Sequence, residues 1–162
     1  MINGNVGVTV ANDRTKELLE SLSKLSKVDV LVGIPEEEGS REGGKVTNAE
    51  LAFIHSEGSP LKNIPARPFV EPAIEDSENK EMISVELNKA AASALDGNIE
   101  EMSKALVSAG MQGQNVVRDW FTNPKNEWIE NSPLTIARKG SDRPMIDTGE
   151  LRKAVTFVIR EK

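Results

Sequence analysis

Apolar residues recur along this chain at two spacings, and the switches between them mark out its elements. Val6, Val8 and Val10 alternate with small or polar residues, which predicts a short strand. Leu18, Leu19, Leu22 and Leu25 then recur at three- and four-residue steps. This predicts an amphipathic helix over 13–26, capped by Asn12 or Asp13. The β-branched run Val28-Asp29-Val30-Leu31-Val32-Gly33-Ile34 predicts a strand that Pro35 ends. Residues 35–46 (PEEEGSREGGKV) are charged and glycine-rich and predict an exposed, mobile loop. Thr47 and Glu50 have capping-box spacing and open a short helix in which Leu51, Ile54 and His55 share a face. Gly58 and Pro60 close it. Residues 60–68 contain Pro60, Pro65 and Pro68 without periodicity, an extended connection.

Two longer helices follow. The first is expected over about 70–95, with Ile74, Met82, Val85 and Leu87 among its apolar positions. The second begins near Asp96 or Asn98 and carries Ile99, Met102, Leu106, Ala109, Gly113, Val117 and Trp120 at helical steps until Asn123-Pro124 stops it. Gly110 and Gly113 each cost a helix about 1 kcal/mol relative to Ala, so their presence points to close helix packing. Ser132 can cap a short helix ending near Lys139, residues 140–144 form a turn, and 154–159 (AVTFVI) reads as a closing strand. The order predicts an α+β fold: one domain over 1–162, with a small antiparallel sheet packed against two longer helices and several shorter ones.

Composition narrows the partners. Only 38% of residues are hydrophobic and 4% aromatic, a lean core for a self-sufficient domain, which leaves room for burial completed in an oligomer. The net charge of −6 lacks the basic face with which duplex binders neutralise phosphates. An acidic chain could still line a channel through which DNA slides without sticking. With no cysteine, disulfides, thiolate nucleophiles and Cys-type zinc sites are excluded. The start MINGNVGVTV has neither the basic segment nor the apolar run of a signal peptide. No stretch approaches the roughly 20 apolar residues of a membrane span.

Several motifs carry candidate chemistry. Gly39 to Lys45 fits G-x-x-x-x-G-K, the start of a phosphate-binding loop. The next position, where Ser or Thr would ligate magnesium, is Val46, and Glu36, Glu37 and Glu38 would repel a triphosphate. The helix opened by Thr47 starts too late to aim its N-terminus at phosphates. The stretch therefore predicts a loop, and no cofactor is expected. His55 is the lone histidine and has no nucleophile-elbow pattern beside it, so it predicts a packing residue. Arg67, Arg138, Lys139, Arg143 and Arg152 are scattered and predict solvated surface charges. Trp120, Phe121 and Trp128 predict an aromatic cluster, either core or interface anchor. Met145-Ile146-Asp147-Thr148-Gly149 looks like an aspartic protease signature. That chemistry needs two carboxylates sharing one proton, so a single copy would have to dimerise, on a fold that is almost all β. The structural alternative is that Asp147 caps a short helix and Glu150 returns the bond, a capping-box variant. No residue is expected to be catalytic or to bind a metal.

Three stretches taken in order resemble a known family. They are Asn48-Ala49-Glu50-Leu51-Ala52-Phe53-Ile54-His55-Ser56-Glu57-Gly58-Ser59, then Ile64-Pro65-Ala66-Arg67-Pro68-Phe69-Val70-Glu71-Pro72-Ala73, then the ending from Ser132 to Lys162 with its Ile-Asp-Thr-Gly-Glu-Leu-Arg. Together they resemble the bacteriophage tail-component family, tail-completion and neck proteins of long-tailed phages similar to the Mu-type virion morphogenesis proteins. The resemblance covers about residues 27–160; the acidic and glycine-rich loop 35–46 departs from it.

The resemblance implies a structural virion protein of the neck or tail, made in the host cytoplasm. It implies a homo-oligomeric ring, often hexameric, around the DNA channel, docked to adjoining neck, connector and tail-tube proteins. DNA would pass without specific binding, and no membrane is involved. Within that reading, Arg67, Pro68 and Phe69, with Asp147, Thr148 and Gly149, are expected either to shape or brace the contacts between subunits or to serve contacts within one chain. Loop 35–46 suits a segment that orders on docking. A tail terminator, stopper or minor tail protein is the neighbouring alternative, and a DTG-type aspartic protease the rival from another class.

Overall fold

The computed structural model describes residues 13–36 and 46–162. Among them are seven α-helices and a two-stranded antiparallel sheet, an α+β arrangement. The strand expected at Val6, Val8 and Val10 lies outside the described residues, as does most of loop 35–46.

Helix α1 spans Thr15–Ser26. The Asp13 carboxylate accepts the Thr15 amide at 3.0 Å, but the cap position is Arg14, which makes no side-chain cap bond. The fully buried Ser21 donates its hydroxyl to the Glu17 carbonyl at 2.9 Å. Strand β1 is Val28–Gly33. Helix α2, Asn48–Glu57, opens on a complete capping box. The Thr47 hydroxyl accepts the Glu50 amide at 3.1 Å, and the Glu50 carboxylate accepts the Thr47 amide at 2.8 Å.

The long helix expected over about 70–95 is two helices, α3 (Val70–Glu75) and α4 (Ser77–Leu95). Asp76 breaks it. Its backbone is extended (φ −54, ψ 132), and its carboxylate accepts the Asn79 amide at 3.4 Å to cap α4. Asn79 turns its side-chain amide back to the Ala73 carbonyl at 2.8 Å, tying the two helices. Short polar side chains compete in this way with the helical ladder, and apolar periodicity does not register it.

Helix α5 is Ile99–Trp120, capped by Asn98, whose side chain accepts the Glu101 amide at 3.1 Å. It joins two cores. Toward its start, Met102, Ala105 and Leu106 pack with Ala90 and Ala94 of α4, and with Leu22 and Leu25 of α1. Toward its end, Val116, Val117, Trp120 and Phe121 pack with Phe69, Ala73, Leu151 and Val155. Each larger apolar side chain so buried contributes about 1.5–3 kcal/mol.

Helix α6 is Pro133–Lys139 and helix α7 is Glu150–Ala154. Strand β2, Thr156–Glu161, pairs with β1 so that Val30 faces Ile159 and Val32 faces Phe157. The strand expected from residue 154 starts two residues later, because Ala154 completes α7 and the fully buried Val155 makes the turn. Two arginines fasten this junction to α5. Arg118 donates to the Val155 and Lys153 carbonyls at 3.0 and 2.9 Å, and Arg152 donates to the Arg118 carbonyl at 2.7 Å.

The glycines of α5 admit the sheet first and, at Gly113, helix α3 as well, where a Cβ would lie 3.6 Å from Ile74 Cδ1. A Cβ on Gly110 would lie 2.2 Å from the Phe157 ring, and one on Gly113 would lie 2.7 Å from Val32 Cγ2. Periodicity identifies a close approach but not its partner. No helix among the described residues is long and apolar enough to cross a membrane.

Candidate functional site

The site is built from the turn that ends α2. Gly58 has φ 75, and a Cβ there would come within 2.7 Å of the Ala66 amide nitrogen and 2.9 Å of the Ile64 carbonyl oxygen. Only glycine combines that backbone with that approach. The chain then folds back: Ser59 and Ile64 exchange hydrogen bonds at 2.8 and 3.0 Å around a 3₁₀ turn at Pro60–Lys62. The Arg67 amide donates to the His55 carbonyl at 2.7 Å, which anchors the proline-rich segment to the end of α2.

Arg67, expected as a surface charge or an interface residue, is 6% exposed. Its guanidinium donates to the Ile129 carbonyl from Nε (3.1 Å) and Nη2 (2.6 Å), and from Nη2 to the Glu130 carbonyl at 3.3 Å. Burial lowers its pKa from the ordinary arginine value. The neighbouring residues brace the same contact. Trp128 donates its indole N–H to the Pro68 carbonyl at 3.0 Å. Phe121 meets Phe69 edge-on at 5.0 Å and Trp128 edge-on at 5.8 Å. The aromatic cluster is therefore Phe69, Phe121 and Trp128. Trp120, expected in it, is buried in the same core with its indole N–H lacking an acceptor.

The opposite wall comes from 129–151. The Ser132 hydroxyl caps α6 by accepting the Thr135 amide at 3.2 Å, and the buried Asn131 donates its side-chain amide to the Asp142 carbonyl at 3.0 Å. The expected cap at Asp147 is not formed. Gly149, left-handed at φ 81, takes the cap position of α7 without a side-chain cap bond, and the Glu150 amide reaches the Thr148 hydroxyl at 3.4 Å. The left-handed turn sets Asp147 back from the start of the helix, in an exposed position.

Between these walls lies a cleft of about 1080 Å³. It brings together His55, Arg67, Asp147, Thr148 and Gly149 with Arg138 and Lys139; Pro68 and Phe69 stand behind it, in the contacts just described. The ammonium of Lys139 donates to the Arg143 carbonyl. Burial lowers its pKa and the charge of Arg67 lowers it further, while Asp147 and Asp142 act in the opposite direction. Backbone strain gathers in this half. The non-glycine residues with positive φ among those described are Asn63 (51), Glu127 (46) and Met145 (57), and Asn63 and Met145 line the cleft. Strained backbone of this kind concentrates at functional sites.

The motif reading missed Ile129 and Asn131, which carry no pattern beyond proximity to the Ser132 cap. It also treated Lys139 as solvated, whereas its ammonium is partly desolvated beside Arg67. The phosphate-loop-like stretch at 39–45 lies outside the described residues. Among those described, no group of three or more His, Asp or Glu side chains is placed to hold a metal ion. No protein-family model matches the chain, and neither a curated protein nor a solved structure does.

Proposed function

We propose that this chain is a structural virion protein of a phage neck or tail. It closes into a ring around the DNA channel, completes the tail and joins it to the head. One observation carries the reading. The three separated stretches on which the family resemblance rests all contribute to the walls of one cleft: His55 and Gly58 from the first, Pro65 and Arg67 from the second, Met145, Asp147 and Gly149 from the third. A set of motifs that acts as a unit is expected to meet in space, and chance matches along a chain are not.

Two further features fit assembly. Leu61, Leu134, Phe53 and Ile129 are 99%, 81%, 69% and 65% exposed, apolar surface of the kind that contacts between subunits bury. The net charge of −6 suits a channel wall that does not retain DNA. A ring closes through heterologous contacts, one patch meeting a different patch on the next copy. Phe69 is buried in its own chain's core, so within this reading Arg67, Pro68 and Phe69 brace the subunit, and the exposed Asp147-Thr148 turn is the part free to meet a neighbour. A terminator, stopper or minor tail position shares all these features.

The rival DTG-type protease would need two copies to place their Asp147 carboxylates within one proton of each other. Light scattering with negative-stain imaging of the purified protein, alone and mixed with connector or tail-tube protein, tests the proposal. Closed rings with a duplex-wide hole are the expected result. A compact two-fold dimer whose proteolytic activity disappears in Asp147→Asn would replace it.

A further inference from the structure

Two of the cations that line the cleft make their side-chain bonds to carbonyl groups rather than carboxylates. Arg67 is 94% withdrawn from solvent, as its 6% exposure implies, and donates only from Nε and Nη2, to Ile129 and Glu130. A guanidinium has five N–H donors in a planar fork, so Nη1 remains for a ligand. Lys139 lines the same cleft, where it feels the charge of Asp147 and, in the opposite direction, that of Arg67, and its ammonium donates to the Arg143 carbonyl. A buried cation without a carboxylate costs free energy unless an anion completes it. Glu57, Glu130, Asp147 and Glu150 also line the cleft, but all four are exposed, where solvent screens them. The one buried charge of the lining is positive, and its acids are exposed.

The mouth is apolar as well as charged. Ile129 lines it, and Leu61 and Leu134 stand next in sequence to the lining residues Pro60 and Thr135. All three are largely exposed. A volume of about 1080 Å³ lies at the upper end of the roughly 300–1,000 Å³ common for ligand pockets, far more than one small anion fills. A buried arginine and a half-buried lysine on the lining, with exposed aliphatic side chains on or flanking it, match a polypeptide that enters with an acidic side chain and seats an apolar neighbour beside it.

We propose that this cleft is a docking site for a peptide segment of a partner protein, bound through an Asp or Glu carboxylate on Arg67 and Lys139 with an adjacent apolar side chain against Leu134 and Ile129. The inference does not depend on the virion reading, since it concerns the isolated subunit and holds whether or not the chain closes a ring.

The test is selection of a displayed random dodecapeptide library on the immobilised full chain, followed by fluorescence polarisation of the recovered peptides. Recovered sequences are expected to share an Asp or Glu beside Leu, Ile or Phe. Changing that acid to Asn or Gln should weaken binding about tenfold or more, the scale of one charge-assisted hydrogen bond. Lys139→Gln should produce a similar loss and Leu134→Ser a smaller one. Neither side chain belongs to a buried core, so both variants should keep the parent's circular dichroism. Recovery of basic or neutral peptides, binding indifferent to Lys139, or no enrichment would each overturn the proposal. Full competition by millimolar inorganic phosphate would make the site a small-anion site instead. Self-association of the chain that Lys139→Gln abolishes would make the occupant a second copy.

Discussion

In the first core the α4–α5 pair buries Ala90, Ala94, Met102, Ala105 and Leu106, apolar side chains at helical steps. Around the cleft the buried positions include Arg67 and Asn131, and the walls are joined by side chains that reach backbone carbonyls far away in sequence. The first region is held by apolar area, which is non-directional and tolerant of repacking. The second is held by directed polar contacts, each of which leaves an unsatisfied group if one partner is removed. A region built the second way can keep an irregular, strained path such as the left-handed Met145 and so present a shaped cavity. A pair of packed helices cannot.

Substitutions can break this contrast on either side. The largest effect is expected from Phe69→Ala, which empties a nearly fully buried ring position in the second core, behind the cleft wall. It should destabilise by about 3–5 kcal/mol in urea unfolding. Arg67→Lys comes next. An ammonium cannot reproduce the fork to Ile129 and Glu130, and a loss of about 2 kcal/mol is expected. Hydrogen exchange should rise over 127–132 while the interior of α5 stays protected. A rise along α5 of equal size would show that the two regions are not separable.

Gly110→Ala probes the helical side. The new methyl meets the Phe157 ring, and overpacking of about 1–3 kcal/mol, offset by Ala's helix preference of about 1 kcal/mol, leaves a modest net loss. Its exchange signature should fall on the sheet and not on the cleft.

Asp76 supplies a pH test. Its carboxyl is held below the ordinary aspartate value of 3.8, chiefly by the hydrogen bond from Lys125. A depressed folded-state pKa contributes stability that is complete above the unfolded value and is lost as pH falls through the folded one. Melting temperature should therefore drop below about pH 4, and Asp76→Asn should flatten that limb. The smallest effect belongs to Lys104→Ala. Its pairs with Glu100 and Glu101 lie on the open face of α5, and no measurable change in Tm is expected.

The same contrast separates what could be read along the chain from what could not. Helix α5, the Thr47 capping box and the Ser132 cap were legible because their signals lie within a few residues. The break at Asp76 was missed although Asp76 and Asn79 have cap spacing, because the apolar pattern runs through it. The cap expected at Asp147 failed for a different reason: Gly149 adopts a left-handed turn, and its freedom to do so is visible in sequence while its use is not. The cleft was illegible as a cavity. Its motif residues were named, but the bond from Arg67 to Ile129 spans 62 positions, and nothing local to either residue announces the other.

The two strands carry a consequence for how fast this protein folds. Val28 pairs with Glu161 and Gly33 with Thr156, so each rung of the ladder closes a loop containing most of the described chain. Loop-closure entropy grows only slowly with length, so such pairing adds little to the final free energy, but distant contacts of this kind lengthen the search that precedes them. The helices can form from neighbours and begin to collapse while the strands are still apart. Refolding should then show helical ellipticity early, and the docking of Phe157 over Gly110 as the slow phase that sets the pace.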